Sequence, residues 1–263
     1  MNFEQAVRLQ LLPAAWNELV QADFQPLDIG LSGASVFLVT AGGRPPCYLK
    51  VARDGAAAAL REEIARTAWL ADHAISVPKI LRAETKPAQT ILLTDAVPGV
   101  PADATGLAAP KLAALLARAF AQLHALSVAE CPFDESIAAR LARAAAAIAG
   151  GDVDADAFDP RNRGTDPADL LARLSADRPA EDLVVVHGDA TLSNILVDSD
   201  GTIGFVDCGN AGRADRYTDL ALLCADIADH FGAEAAECFR NCYSTEPWDS
   251  TKARFFSDLY ELF

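Results

Sequence analysis

Asp189 stands in His187-Gly188-Asp189-Ala190-Thr191-Leu192-Ser193-Asn194, and a second carboxylate, Asp207, ends a short apolar run at Val206-Asp207-Cys208-Gly209. An Asp, an Asn five positions later and a further Asp supply three polar ends that phosphoryl transfer needs. Asp189 takes or orients the proton of an attacking hydroxyl. The Asn194 amide oxygen and the Asp207 carboxylate hold magnesium against nucleotide phosphates. The chemistry expected is that of a kinase. An isolated Asp-x-x-x-x-Asn would say nothing; here order, spacing and strand context agree.

The elements around these residues set their positions. Leu183–Val186 reads as a buried strand and Asn194–Asp198 as a second one. Ser199-Asp200-Gly201 is turn chemistry, and Thr202–Val206 is a third strand ending at Asp207. Such a hairpin puts Asn194 and Asp207 at one end, with Asp189 on the loop before it. Upstream, Cys47–Val51 is a strand with a single Lys50 inside it, where an unpaired ammonium is costly. The next helix, 56–73, has amphipathic spacing and carries Glu62 and Glu63; Glu63 is the favoured partner. The pair would direct the ammonium at the inner phosphates of a nucleotide. Gly30-Leu31-Ser32-Gly33, ahead of the strand Val36–Val39, suits a phosphate lid, because small residues let backbone N–H groups approach phosphate oxygens. The chain lacks G-x-x-x-x-G-K-[ST], which argues against a P-loop fold.

Strands are also expected at 77–81 and 90–94. Asp95-Ala96-Val97-Pro98-Gly99 then links a sheet-rich first part to a helical second part, where a hinge would offer backbone groups to an adenine edge. The domains are placed at 1–95, a nucleotide-binding lobe, and 96–263, a helical lobe with the catalytic loop and substrate surface. Helices are expected over 4–20, 111–126, 136–149 with a stop at Gly150-Gly151, 167–174, 215–228, 239–242 and 251–262. The aspartates at 152, 154, 156 and 159 lack the Gly and terminal Glu of an EF-hand and read as an exposed acidic loop. His124 reads as a satisfied core histidine, and Cys238 and Cys242 as sharing a buried helix face.

The 263 residues suffice for a large core and carry a net charge of −15. The charge is uneven: residues 1–99 hold nine Lys+Arg against ten Asp+Glu, residues 100–263 thirteen against twenty-seven. Such a second half repels nucleic acid and anionic lipid and attracts a polycation. No secretory leader or membrane span is evident, so a cytoplasmic protein is expected. The six cysteines include no C-x-x-C pair and are expected to be reduced thiols.

These residues resemble a family, the aminoglycoside O-phosphotransferases, and within it the 3'-phosphotransferases acting on kanamycin- and neomycin-type antibiotics. The likeness runs from Gly30-Leu31-Ser32 through Leu92-Leu93-Thr94, Val97-Pro98-Gly99, Cys131-Pro132-Phe133, His187-Gly188-Asp189, Val206-Asp207-Cys208-Gly209 and Ala214-Asp215-Arg216-Tyr217 to Glu261-Leu262-Phe263. It implies an α+β, protein-kinase-like two-lobed fold, with a small antiparallel-sheet N-lobe and a larger, mostly helical C-lobe. By resemblance, Lys50 and Glu63 are the nucleotide-lobe ion pair, Ser32 the lid residue, and Asp95 and Val97 the backbone contacts to adenine. Asp189 is the catalytic carboxylate, and Asn194 and Asp207 are the Mg2+ ligands, with ATP or GTP as donor. Asp159, Asp226, Glu261 and the Phe263 carboxylate match positions that hold the drug's ammonium groups. Each close ammonium–carboxylate pair is worth about 1 kcal/mol in bulk water and up to about 4 at an effective dielectric of 20.

The departures lie on the antibiotic side. Pro160 and Arg161 replace acidic residues that often follow the position of Asp159, Asn210 replaces a common Arg, and Tyr260 stands where an acidic residue is often seen. The expected activity is phosphorylation of an aminoglycoside hydroxyl, the 3' hydroxyl first, by a monomer or weak homodimer. The alternatives are a streptomycin 3''-phosphotransferase, a kinase of another hydroxylated cation such as a choline-like alcohol, and a nucleotide-binding pseudokinase.

Overall fold

The computed structural model describes residues 1–27, 33–244 and 246–263. The chain forms two compact units, Met1–Pro98 with Gly204–Gly209, and Gly99–Ile203 with Asn210–Phe263. Asp207 therefore belongs with the N-terminal segment, although Asp189 and Asn194 just before it belong to the second unit.

The first unit opens with α1 (Phe3–Arg8), started by a capping box in which Asn2 and Gln5 exchange side chain–backbone hydrogen bonds. The helical spacing over 4–20 does not become one helix. Gln10 takes φ 55°, Pro13 lacks a helical N–H, and the chain resumes only as a 3-10 turn at Asn17–Leu19. Leu12, Trp16 and Leu19 of that stretch are still buried, sharing a core with Phe3, Phe24 and Leu49, whereas Leu9 and Val20 are exposed.

Next come β1 (Asp23–Leu27), β2 (Ser35–Thr40), β3 (Cys47–Arg53), then helix α2 (Gly55–Asp72), β4 (Ile80–Lys86) and β5 (Gln89–Asp95). The five strands form an antiparallel sheet in the order β1-β2-β3-β5-β4. β4 lies further along than expected, because Pro78 donates no ladder hydrogen bond and the register settles only after Arg82. Successive side chains of β3 point to opposite faces of the sheet. Leu49 and Val51 enter the core that holds α1, whereas Ala52 packs with Leu60 of α2 and Leu92 of β5. Lys50, two positions from Ala52, shares the face that meets α2.

The second unit contains β6 (Val100–Pro101), α3 (Ala109–His124), α4 (Ile137–Gly150), α5 (Pro167–Ala176), β7 (Leu183–Val186) and β8 (Ile195–Val197). The strand β9 (Ile203–Phe205) carries the chain into the first unit, and β10 (Gly212–Asp215), α6 (Tyr217–Phe231), α7 (Ala233–Tyr243) and α8 (Ser250–Tyr260) complete the second. Prolines open α3 and α5, and Ser136 caps α4, which stops at Gly151 in the left-handed region (φ 77°). The core of this unit joins Leu141, Leu170, Leu174, Ala221, Phe256 and Leu259.

Three details differ from expectation. Asn194 lies in a 3-10 turn, Leu192–Asn194, ahead of the strand rather than within it. β10, which pairs antiparallel with β7, has no separate hydrophobic signature in Gly212-Arg213-Ala214-Asp215. Cys238 is half-buried and Cys242 exposed, so they do not share a buried face. Among the described residues no helix is long and apolar enough to cross a membrane.

Candidate active site

In the first unit, the Lys50 ammonium donates to Glu63 Oε1 at 2.7 Å and also to Asp207 Oδ1. The helix face of α2 explains the choice of glutamate. Leu60, Thr67 and Leu70 are buried at helical spacing with Glu63 between them, while Glu62 lies 63% exposed and pairs with Arg66. Burial works against the charge of Lys50, but Glu63 and Asp207 outweigh it and raise the ammonium above its usual pKa. Burial raises Glu63 as well; Lys50 works against that rise, and the negative charge of Asp207 adds to it.

Asp207 takes φ 58°, an uncommon conformation for a non-glycine residue, in the turn after β9. Gly204 on that strand leaves room for Val97, whose Cγ1 would overlap a Cβ placed there. The Asp95 N–H is spent on the Lys79 carbonyl at 3.1 Å, so a backbone contact from Asp95 to a ligand falls to its carbonyl. Ser32 lies outside the described residues.

In the second unit, β7 delivers His187, and Gly188 turns the chain in the left-handed region (φ 83°). A Cβ there would overlap the Asn210 carbonyl oxygen, so only glycine fits. The loop is held from beneath by Asp219 of α6, which is fully buried. Its carboxylate accepts the His187 and Gly188 N–H groups, both at 2.8 Å, and contacts His124 Nε2 at 3.1 Å. His124 reaches the Tyr243 hydroxyl through Nδ1 at 2.7 Å and is thus satisfied within the core.

Asp189 comes next, with both carboxylate oxygens engaged. Oδ2 accepts Asn194 Nδ2 at 2.9 Å, and Oδ1 accepts the Tyr260 hydroxyl at 2.7 Å. Asn194 Nδ2 also donates to the Asp189 carbonyl at 3.1 Å, so the amide nitrogen is committed and the amide oxygen is left to coordinate. Each unit thus offers a hard oxygen donor, Asn194 in the second and Asp207 in the first, of the kind that suits magnesium rather than a soft metal. Among the described residues no group of three or more His, Cys, Asp or Glu would hold an ion unaided.

The acidic residues expected to face a polycation fall into two groups. Asp226 supports the loop after β7, accepting the Leu192 N–H at 2.6 Å and contacting His230 Nδ1 at 3.1 Å. The other group gathers at the chain's end, where Glu261 accepts Asn162 Nδ2 at 2.9 Å and the Asp159 N–H at 3.1 Å. Asp258 beside it is buried on Asn162 and Arg173. Burial, with Asp159 and Asp258 adding to it, raises Glu261 above the usual carboxylate range. Arg161 pairs with Asp159 at 3.0 Å, so a departure noted in the sequence also offsets a carboxylate next to it. The Phe263 ring lies over the guanidinium groups of Arg140 and Arg143 at 4.9 and 5.6 Å.

The chain matches the pattern of the phosphotransferase enzyme family over residues 23–256. The chain belongs to that family. It is 36% identical over 259 residues to an aminoglycoside 3'-phosphotransferase of Streptomyces fradiae, covering 92% of this chain and 95% of the relative. It is 35% identical over 257 residues to a streptomycin 3''-kinase of Streptomyces griseus, covering 92% and 93%. The crystal structure of an aminoglycoside-3'-phosphotransferase of type VIII superposes with a TM-score of 0.87 at 34% identity, over 99% of this chain and 98% of that one. A Streptomyces rimosus aminoglycoside phosphotransferase in complex with ADP and streptomycin superposes at 0.82 with 31% identity, over 98% of both chains. The phosphotransferase has the α+β, protein-kinase-like fold that the resemblance implies.

Two residues of this phosphotransferase escaped sequence reasoning. Asp219 falls within the helix expected over 215–228, and its place directly before the apolar run Leu220-Ala221-Leu222-Leu223 was the available signal of burial. Tyr260 registered as a missing carboxylate, and no pattern in the sequence links it to a residue 71 positions away.

Proposed function

We propose that this phosphotransferase moves the γ-phosphoryl group of MgATP to a hydroxyl of an aminoglycoside, the 3' hydroxyl first, and thereby inactivates the drug. The observation that carries the reading is the Asp189–Asn194 pairing. It leaves a carboxylate to orient an acceptor hydroxyl and an amide oxygen to face a metal. The transition state of phosphoryl transfer is loose, so positioning and charge stabilisation carry most of the acceleration, and proton removal by Asp189 is late or modest.

Lys50, fixed by Glu63, supplies the cation for the inner phosphates. Asn194 and Asp207 would hold magnesium, which when bound offsets phosphate charge. The −14 carried by residues 100–263 favours capture of a substrate with several ammonium groups. A second reading, transfer to the 3'' hydroxyl of streptomycin, is favoured by the near-equal identity to the S. griseus kinase.

The deciding experiment follows ADP release with kanamycin and streptomycin side by side and locates the modified carbon by NMR. Phosphate on the 3' carbon of kanamycin establishes the first reading, and turnover of streptomycin alone the second. Asp189→Ala is expected to bind nucleotide and lose nearly all turnover. Undiminished transfer by that variant would remove Asp189 from its role.

A further inference from the structure

Each oxygen of the Asp189 carboxylate holds one hydrogen bond, and metal binding accounts for only one of them. The Asn194 contact belongs to the metal side; the Tyr260 contact, at 2.7 Å, does not. Tyr260 comes from the last turn of α8, and the residues around it are anchored. Phe256, Leu259 and Leu262 sit in the core of the unit, Asp258 binds Asn162 and Arg173, and Glu261 binds Asn162 and the Asp159 N–H.

Burial first, and the negative charge of Asp189 next, push the phenol well above its ordinary pKa, so it stays a hydrogen-bond donor across working pH. A carboxylate oxygen offers about two lone-pair sites, so Oδ1 has room for the phenol and for an acceptor O–H together.

We propose that Tyr260 is a positioning residue for phosphoryl transfer: its hydroxyl, fixed by α8, holds Oδ1 of Asp189 in the orientation that receives the acceptor hydroxyl. The proposal rests on Asp189 as the acceptor-orienting carboxylate. With Asn194 on the opposite oxygen, rotation of the carboxylate is blocked from both sides. Losing one donor lets it turn, and the misplacement is felt in turnover rather than in nucleotide binding.

The test compares Tyr260→Phe, Asp189→Ala and the double variant, using radiolabelled ATP and whichever of kanamycin and streptomycin is turned over. Tyr260→Phe is expected to lower kcat about tenfold and leave KM for MgATP within about twofold, with the melting temperature nearly unchanged. On the Asp189→Ala background the same substitution should change the residual rate by less than about twofold, because its partner is gone. An unchanged kcat in Tyr260→Phe, or an equal loss on both backgrounds, overturns the proposal while leaving Asp189 in place. Wild-type turnover by Asp189→Ala overturns both.

Discussion

Asp219→Asn is the substitution whose consequence the structure defines most closely. The native carboxylate offers acceptors only, to two backbone N–H groups at 2.8 Å and to His124 Nε2 at 3.1 Å, with no exposure to water. Asparagine has one acceptor oxygen and one NH2 group. If the NH2 takes the place of Oδ1, it faces the Gly188 N–H; if it takes the place of Oδ2, it faces the His187 N–H and the His124 ring.

The better orientation still strands one buried backbone donor, a loss of about 1–3 kcal/mol. At about 2–4 °C per kcal/mol for a chain near this size, the melting temperature should fall by about 2–12 °C. Asp219→Ala strands both donors and should lose roughly twice as much. Because the two amides immediately precede Asp189, turnover should fall by about a hundredfold, the scale of a displacement near 1 Å at a reacting centre. The assay combines thermal melting, kcat, and hydrogen exchange on peptides covering 186–190, where protection of the His187 and Gly188 amides should drop. An Asp219→Asn protein that melts within a degree or so of wild type and keeps slow exchange at those amides would refute the argument.

Gly188→Ala puts a Cβ against the Asn210 carbonyl oxygen in a backbone region closed to alanine, and turnover should fall at least about a hundredfold in the same assay. The raised pKa of Glu261 means that its carboxylate is lost earlier than usual as pH falls. KM for a polycationic acceptor should therefore climb on acidification from neutrality, and Glu261→Gln should show a higher KM with a flatter profile. Burial pushes the Cys224 thiol up to about 12, whereas Cys242 is exposed. Iodoacetamide on the native protein, with peptide mass spectrometry as the readout, should label Cys242 and spare Cys131, Cys208 and Cys224 until the chain is denatured.

Much of this arrangement could be read from residue order, because the chemistry is local in sequence. Asp189 and Asn194 share one loop, and the period of two along β3 forces Lys50 onto the face of Ala52, toward α2. The preference for Glu63 over Glu62 agrees with the burial of Leu60, Thr67 and Leu70 along α2. What could not be read was long-range or subtractive. The spacing over 4–20 suggested one helix because periodicity records which residues are buried, and Pro13 and Gln10 break the backbone without changing that. Asp219, Tyr260 and β10 act through partners far along the chain, and no window of sequence contains both members of such a contact. Asp226 and Arg161 were placed by resemblance alone, whereas the structure engages Asp226 with the Leu192 N–H and Arg161 with Asp159.

The placement of Gly204–Gly209 with Met1–Pro98 bears on how this gene could recombine. A crossover between relatives at codon 98 would join one parent's lysine and glutamate to the other parent's aspartate, in a cluster where two anions share a single ammonium. A truncated product ending there would carry the cation with half of its counter-charge. Exchange of the N-terminal segment therefore has to preserve the arrangement of Lys50, Glu63 and Asp207. A single crossover at codon 98 cannot move the first unit whole, because Gly204–Gly209 would stay behind.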